Sequence, residues 1–187
     1  TAKSQLYFYQ DIPYALCSHA LCLNIDDDSK TVQCICPIIT KTTTNDRWRL
    51  DSISPVSPDK GIPEYSASTG QLKTILSTFS LANNQVYSPG KLADNDFQYV
   101  QCTASDKVAS EYADCFGIRC DVINETAYCT CPIVSSKQYY LGFTEQKFSK
   151  FCRSGAVIWS GVSIDDGKAA KEFILKNYDK HYINDCN

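Results

Sequence analysis

Methionine is absent from this 187-residue chain, and histidine occurs twice, as His19 and His181. With so few imidazoles, hydrolytic catalysis through histidine has little to build on, and a lone histidine is more often a helix-surface or core residue than a base. The sequence contains no G-x-S-x-G elbow, no H-E-x-x-H and no C-x-x-C. The α/β-hydrolase, zincin and thioredoxin-like signatures are therefore missing. No basic block is present, and 18 Lys and Arg stand against 21 Asp and Glu for a net charge of −3. That balance argues against nucleic acid as a partner. The apolar run "GAVIW" at 155–159 is far short of the ~20 residues a membrane helix needs, so no transmembrane segment is expected. The missing initiator and the opening "TAKSQ" give the expectation of a mature product whose signal peptide has been removed.

Cysteine, by contrast, is plentiful: eleven residues, more than reducing compartments usually tolerate, which points to a secreted or periplasmic protein. Eight of them fall in two similar stretches, "YALCSHALCLNIDDDSKTVQCICPII" from Tyr14 and "YADCFGIRCDVINETAYCTCPIV" from Tyr112. Cys17, Cys22, Cys34 and Cys36 align with Cys115, Cys120, Cys129 and Cys131, at an offset of 98 for the first two and 95 for the last two. The three-residue difference falls where a turn is expected. In each stretch two alternating, β-branched segments flank a polar turn, the pattern of a hairpin. Cysteines two apart on a strand share a face. Nested pairing follows, Cys22 with Cys34 and Cys17 with Cys36, then Cys120 with Cys129 and Cys115 with Cys131. Each such link contributes on the order of 3 kcal/mol. Cys102, Cys152 and Cys186 have no counterparts; two of them can pair, and the odd one is available to link a second chain in a disulfide dimer.

Zinc is the competing use of such a cluster. The C-x₄-C and C-x-C spacings fit a zinc knuckle only in part, and His19 is matched by Gly117 in the second stretch. Disulfides are the stronger reading, and no metal or other cofactor is expected.

A second correspondence lies downstream. In "STGQLKTILSTF", Leu72, Ile75, Leu76 and Phe79 have helical spacing, as do Ala170, Phe173, Ile174 and Tyr178 in "DDGKAAKEFILKNYDKHY". Ser68 or Thr69, and Asp165 or Asp166, suit the helix starts. The expected fold is α+β: two related halves, 1–92 and 93–187, meeting near "YSPGKLADND". Each half is a disulfide-stapled antiparallel hairpin or sheet covered by one helix.

Aromatic residues cluster in "YFY" (7–9), "RWR" (47–49), "FQY" (97–99) and "QYYLGF" (138–143). Filling of the core is the favoured role for most of them. Arg47, Trp48 and Arg49 are the best candidates for an exposed contact patch. Asn124-Glu125-Thr126 is an N-glycosylation sequon in the second hairpin turn.

The run from Cys17-Ser18-His19-Ala20-Leu21-Cys22 to Cys34-Ile35-Cys36-Pro37 resembles a cysteine module of small exported proteins of Gram-negative, Legionella-type bacteria. The second copy departs from it at Ile118, which stands in the place of Ala20. The resemblance implies export and disulfides and brings no reaction with it. The spacing is also similar to the follistatin-type half of an EGF-like fold.

The function expected is that of a secreted, disulfide-rich, non-enzymatic protein, virulence-associated in a bacterial setting, that binds a host protein, a surface or a glycan. The alternative is a small secreted hydrolase whose site is built from scattered carboxylates or an unpaired cysteine. The binding reading is preferred because nucleophile, base and orienting group cannot be named together.

Overall fold

The structure is a computed structural model that describes residues 5–17, 20–23, 30–43, 51–80, 100–103, 110–141 and 158–177. The described residues begin with seven strands: β1 (Tyr7–Tyr9), β2 (Tyr14–Leu16), β3 (Leu21–Leu23), β4 (Thr31–Ile39), β5 (Ser52–Ser54), β6 (Glu64–Tyr65) and β7 (Leu72–Ser80). Six more follow: β8 (Val100–Thr103), β9 (Ser110–Asp114), β10 (Arg119–Ile123), β11 (Thr126–Ser136), β12 (Gln138–Leu141) and β13 (Ile158–Ser163). One helix, α1 (Ile164–Asn177), comes last among the described residues.

At the centre the two longest hairpin strands, β4 and β11, run antiparallel, with Cys34 directly opposite Cys129. Two rings of five strands close around this pair. In the first, β7 pairs with β10, β10 with β11, β11 with β4, β4 with β2, and β2 returns in parallel to β7. In the second, β13 pairs with β3, β3 with β4, β4 with β11, β11 with β9, and β9 returns in parallel to β13. The rings therefore share two strands, and each draws strands from both ends of the chain. Long strands that bend make this arrangement feasible: one end of β4 faces β3 and the other faces β2.

The pairings correspond in detail. Ala15 faces Ile38 and neighbours Ser77, as Ala113 faces Ile133 and neighbours Ser160. Ile158 faces Cys22, as Ile75 faces Cys120. Outside each ring two further strands extend the sheet, β5 and β1 beside β7, and β12 and β8 beside β13.

Among the described residues the fold is thus mainly β with one helix, not α+β with one helix in each half. The stripe Leu72, Ile75, Leu76 and Phe79 belongs to strand β7. Within that strand the consecutive residues Ile75, Leu76, Ser77 and Thr78 are all buried, because the strand is covered on both faces there. A doubly covered strand loses its period-two alternation, and four apolar residues can then mimic a helical spacing. Gly70, at φ +69°, belongs to the tight turn before β7 and not to a helix start. There Ser66 N donates to Gln71 O and Gly70 N donates to Ser66 O.

The second helix does form. Its cap is Ser163, whose Oγ accepts from Asp166 N at 3.0 Å, rather than Asp165 or Asp166. Those two acids lie in the first turn, where the helix dipole favours them, and Lys176 lies in the last. The helix packs on β12 and β13. A Cβ at Gly167 would lie 2.8 Å from Tyr140 Cε2, so this turn tolerates only glycine against the ring.

The two described aromatic runs, at 7–9 and 138–141, divide as strands require, while 47–49 and 97–99 lie outside the described residues. Phe8 is partly exposed while Tyr9 beside it is buried, its hydroxyl donating to Val56 O at 2.6 Å. Tyr9, Tyr14, Tyr112 and Tyr139 are the largest fully buried side chains, and Tyr112 stacks on Tyr139 with centroids 4.7 Å apart. Burial, with the nearby Asp114 and Asp166 charges, pushes the Tyr112 phenol well above the usual tyrosine range. The expected junction at 87–96 lies outside the described residues.

Candidate binding site

All eight hairpin cysteines form disulfides in the nested order expected: Cys17–Cys36, Cys22–Cys34, Cys115–Cys131 and Cys120–Cys129. Each of these residues is at most 1% exposed. The bonds occur in two groups, and each group joins the two hairpins. Cys17 Sγ lies 3.5 Å from Cys129 Sγ, so the Cys17–Cys36 and Cys120–Cys129 bonds touch inside the first ring. Cys22, Cys34 and Cys115 sulfurs lie within 4.8 Å of one another inside the second. Three soft ligands this close resemble a zinc cradle, but every one of these sulfurs is already bonded to another. They fill the centre of the core, with Ala15, Val32, Ile75, Ala113, Ala127 and Ile158 around them.

With the sulfurs committed to structure, the surface features carry the binding question. The first ring has an open mouth where β4 ends, β7 begins and β10 turns into β11. A cleft of about 660 Å³ lies there. Its floor is Ile38, Leu72 and Val122, and its rim is Thr40, Thr42, Thr43, Gln71, Asn124 and Glu125. A second cleft of about 350 Å³ shares Thr40, Thr42 and Leu72 with it and is lined in addition by Lys41, Tyr65 and Asp11. Among the described lining residues, Asp11, Lys41 and Glu125 are the charged ones. Mouths of β-rings and seams between chain segments are common ligand sites.

Local structure fixes the rim. After β4 the chain turns through Lys41–Thr43. Thr40 N donates to Thr43 Oγ1 at 2.7 Å, Thr42 N to Thr40 Oγ1 at 3.1 Å, and the Thr40 and Thr42 hydroxyls lie 2.7 Å apart. On the opposite rim Asn124 and Glu125 form the two-residue hairpin turn with φ of 50° and 64°. Such a turn favours Asn followed by Gly. Glu125 holds the glycine position at a cost of about 1 kcal/mol or more, the kind of local strain often found at functional positions. Tyr65, 57% exposed, faces Leu72 across an irregular β6–β7 pairing.

Of the other residues singled out in the sequence, Arg47, Trp48 and Arg49 lie outside the described residues, as do His19, His181, Cys152 and Cys186. Cys102 lies on β8, its backbone opposite Tyr139. Asn124 of the sequon is exposed and Thr126 half-buried. The cleft itself had one sequence signal, the Asn124-Glu125 turn. Thr40, Thr42, Gln71 and Tyr65 come together only through the ring closure. No family model, curated protein or solved structure matches this chain. No helix among the described residues is long and apolar enough to cross a membrane.

Proposed function

We propose that the chain is a secreted or periplasmic, disulfide-stabilised binding protein without chemistry of its own, and that it engages its partner through the mouth of the first ring. In a bacterial setting it would act as an exported, virulence-associated protein on a host protein, surface or glycan. The observation that carries this reading is the cleft: a polar rim over an apolar floor, built from both hairpins and held by a covalent core. Four buried disulfides fit an oxidising compartment. A tandem duplication of one small unit, 1–92 and 93–187, accounts for the matching registers of the two rings.

The test is to fill the mouth. Thr42 is exposed on its turn, so Thr42→Trp leaves the core intact while obstructing the cleft. Labelled wild-type protein is expected to bind a glycan array or intact host cells, and Thr42→Trp to lose most of that signal at unchanged thermal stability. Equal binding by both proteins would remove the mouth as the contact site.

A further inference from the structure

We infer that the mouth of the first ring binds a neutral oligosaccharide, with Tyr65 as its stacking platform; this rests on the binding reading and specifies its ligand. The lining chemistry selects among ligand classes. A polyanion needs several cations, whereas the described lining offers one, Lys41, together with the acids Asp11 and Glu125. A lipid chain needs a deep apolar tube, whereas the floor is three side chains at the edge of the core. An extended peptide pairs through rows of main-chain groups, but the main-chain amides of Thr40 and Thr42 already bond within their own turn.

What remains at the rim is the Gln71 and Asn124 amides, the Glu125 carboxylate, and the spare lone pairs of threonine hydroxyls that already bond within their turn. These are the groups that exchange hydrogen bonds with the vicinal hydroxyls of a pyranose. The apolar faces of sugar rings pack on exposed aromatic rings, and Tyr65 offers one in the adjoining cleft, which shares Thr40, Thr42 and Leu72 with the first. Two adjoining clefts, one lined by Tyr65 and one by Glu125 with Thr40, Thr42 and Leu72 common to both, suit a linear chain of a few sugars rather than a single unit. Glu125, strained at φ 64°, is then retained for its carboxylate, which glycine would not supply.

The experiment uses the full chain, isotopically labelled, titrated with soluble neutral tetrasaccharides (β-1,4-glucan, β-1,4-N-acetylglucosamine and α-1,4-glucan) beside sialylated and sulfated counterparts. At least one neutral tetrasaccharide is expected to shift the amides of Thr40, Leu72 and Asn124, with a Kd on the order of 1 mM or tighter. Tyr65→Ala is expected to weaken that binding about tenfold, the loss of one stacking contact. Glu125→Gly should weaken binding while raising the thermal midpoint, a combination a purely structural role for Glu125 does not produce. The saccharide assignment is overturned if no neutral sugar shifts these amides, if acidic sugars bind in preference, or if the shifts map elsewhere. If Thr42→Trp still abolishes capture of enzymatically deglycosylated cells, the binding reading survives and the sugar assignment alone falls.

Discussion

The β3–β4 and β10–β11 hairpins are alike on one face and different on the other. Facing inward, Cys22, Cys34 and Cys36 occupy the places of Cys120, Cys129 and Cys131, all within 1% of full burial. Facing outward, Leu21, Leu23 and Ile35 are 42%, 49% and 44% exposed, where the second hairpin carries exposed Arg119, Asp121 and Thr130. The neighbours explain part of the contrast. Arg119 donates to Lys60 O at 2.7 Å, to Thr74 Oγ1 at 3.0 Å and to Ile62 O at 3.2 Å, tying down the chain before β6. Leu21, in the same position relative to its cysteine, lies opposite Trp159. Covalent geometry leaves the inner positions one solution, whereas the outer ones follow whatever strand or loop passes over them.

The strongest way to break this comparison is through the sulfurs. The Cys22–Cys34 and Cys120–Cys129 bonds span sequence separations of 12 and 9, and removing either one, as Cys22→Ala/Cys34→Ala or Cys120→Ala/Cys129→Ala, is expected to lower stability by about 3 kcal/mol in urea denaturation. A large inequality between them would mean that the two inner faces are not equivalent. Single replacement should be worse than paired replacement. Cys17→Ser leaves the Cys36 thiol within 4.8 Å of Cys129 Sγ, where it can attack the neighbouring bond. Folded yield is expected to recover in Cys17→Ser/Cys36→Ser, and equal yields would count against this account.

The parallel seams separate the two rings more finely. Ser160 Oγ accepts from Ala20 N at 2.8 Å and donates to Cys17 O. The Ser77 hydroxyl, at the matching place in the first ring, is buried with no hydrogen-bond partner among the described residues. Ser160→Ala should therefore cost about 1–3 kcal/mol, and Ser77→Ala close to nothing or a slight gain. Denaturation midpoints of the two variants decide it; equal losses would erase the distinction.

Tyr112 supplies a pH test. Its phenol is raised, chiefly by burial, so the unfolded state loses its proton first. The stability this provides is complete below the ordinary tyrosine pKa of about 10 and declines above it by roughly 1.4 kcal/mol per pH unit until the folded phenol ionises. Tyr112→Phe should flatten the alkaline limb of a stability-against-pH curve. An unchanged limb would place the titration elsewhere.

The smallest effect belongs to the outer face. Exchanging Leu21→Arg, Leu23→Asp and Ile35→Thr, the residues of the second hairpin, should shift stability by about 0.5 kcal/mol or less each. A loss comparable to that of a disulfide would show that this face is covered in solution.

Much of the covalent core was legible in the sequence, because C-x-C on a strand and a polar turn leave few pairings with acceptable geometry. The helix from Asp165 was legible for a similar reason: one apolar stripe, acids first, a lysine last. Residues 72–79 misled because Ile75, Leu76, Ser77 and Thr78 are buried together, a consequence of ring closure that no local pattern reports. The cleft was hidden for the same cause. Thr40, Tyr65 and Glu125 are distant in the chain, and only the turn at Asn124-Glu125 marked the place.

Non-reducing peptide mapping of the native protein reads the sulfur connectivity of the core itself. It should yield Cys17–Cys36, Cys22–Cys34, Cys115–Cys131 and Cys120–Cys129, with every link inside its own hairpin. Because sulfurs of the two hairpins touch, the contradicting result is equally specific: Cys17 bonded to Cys129, Cys34 bonded to Cys115, or free thiols at these positions.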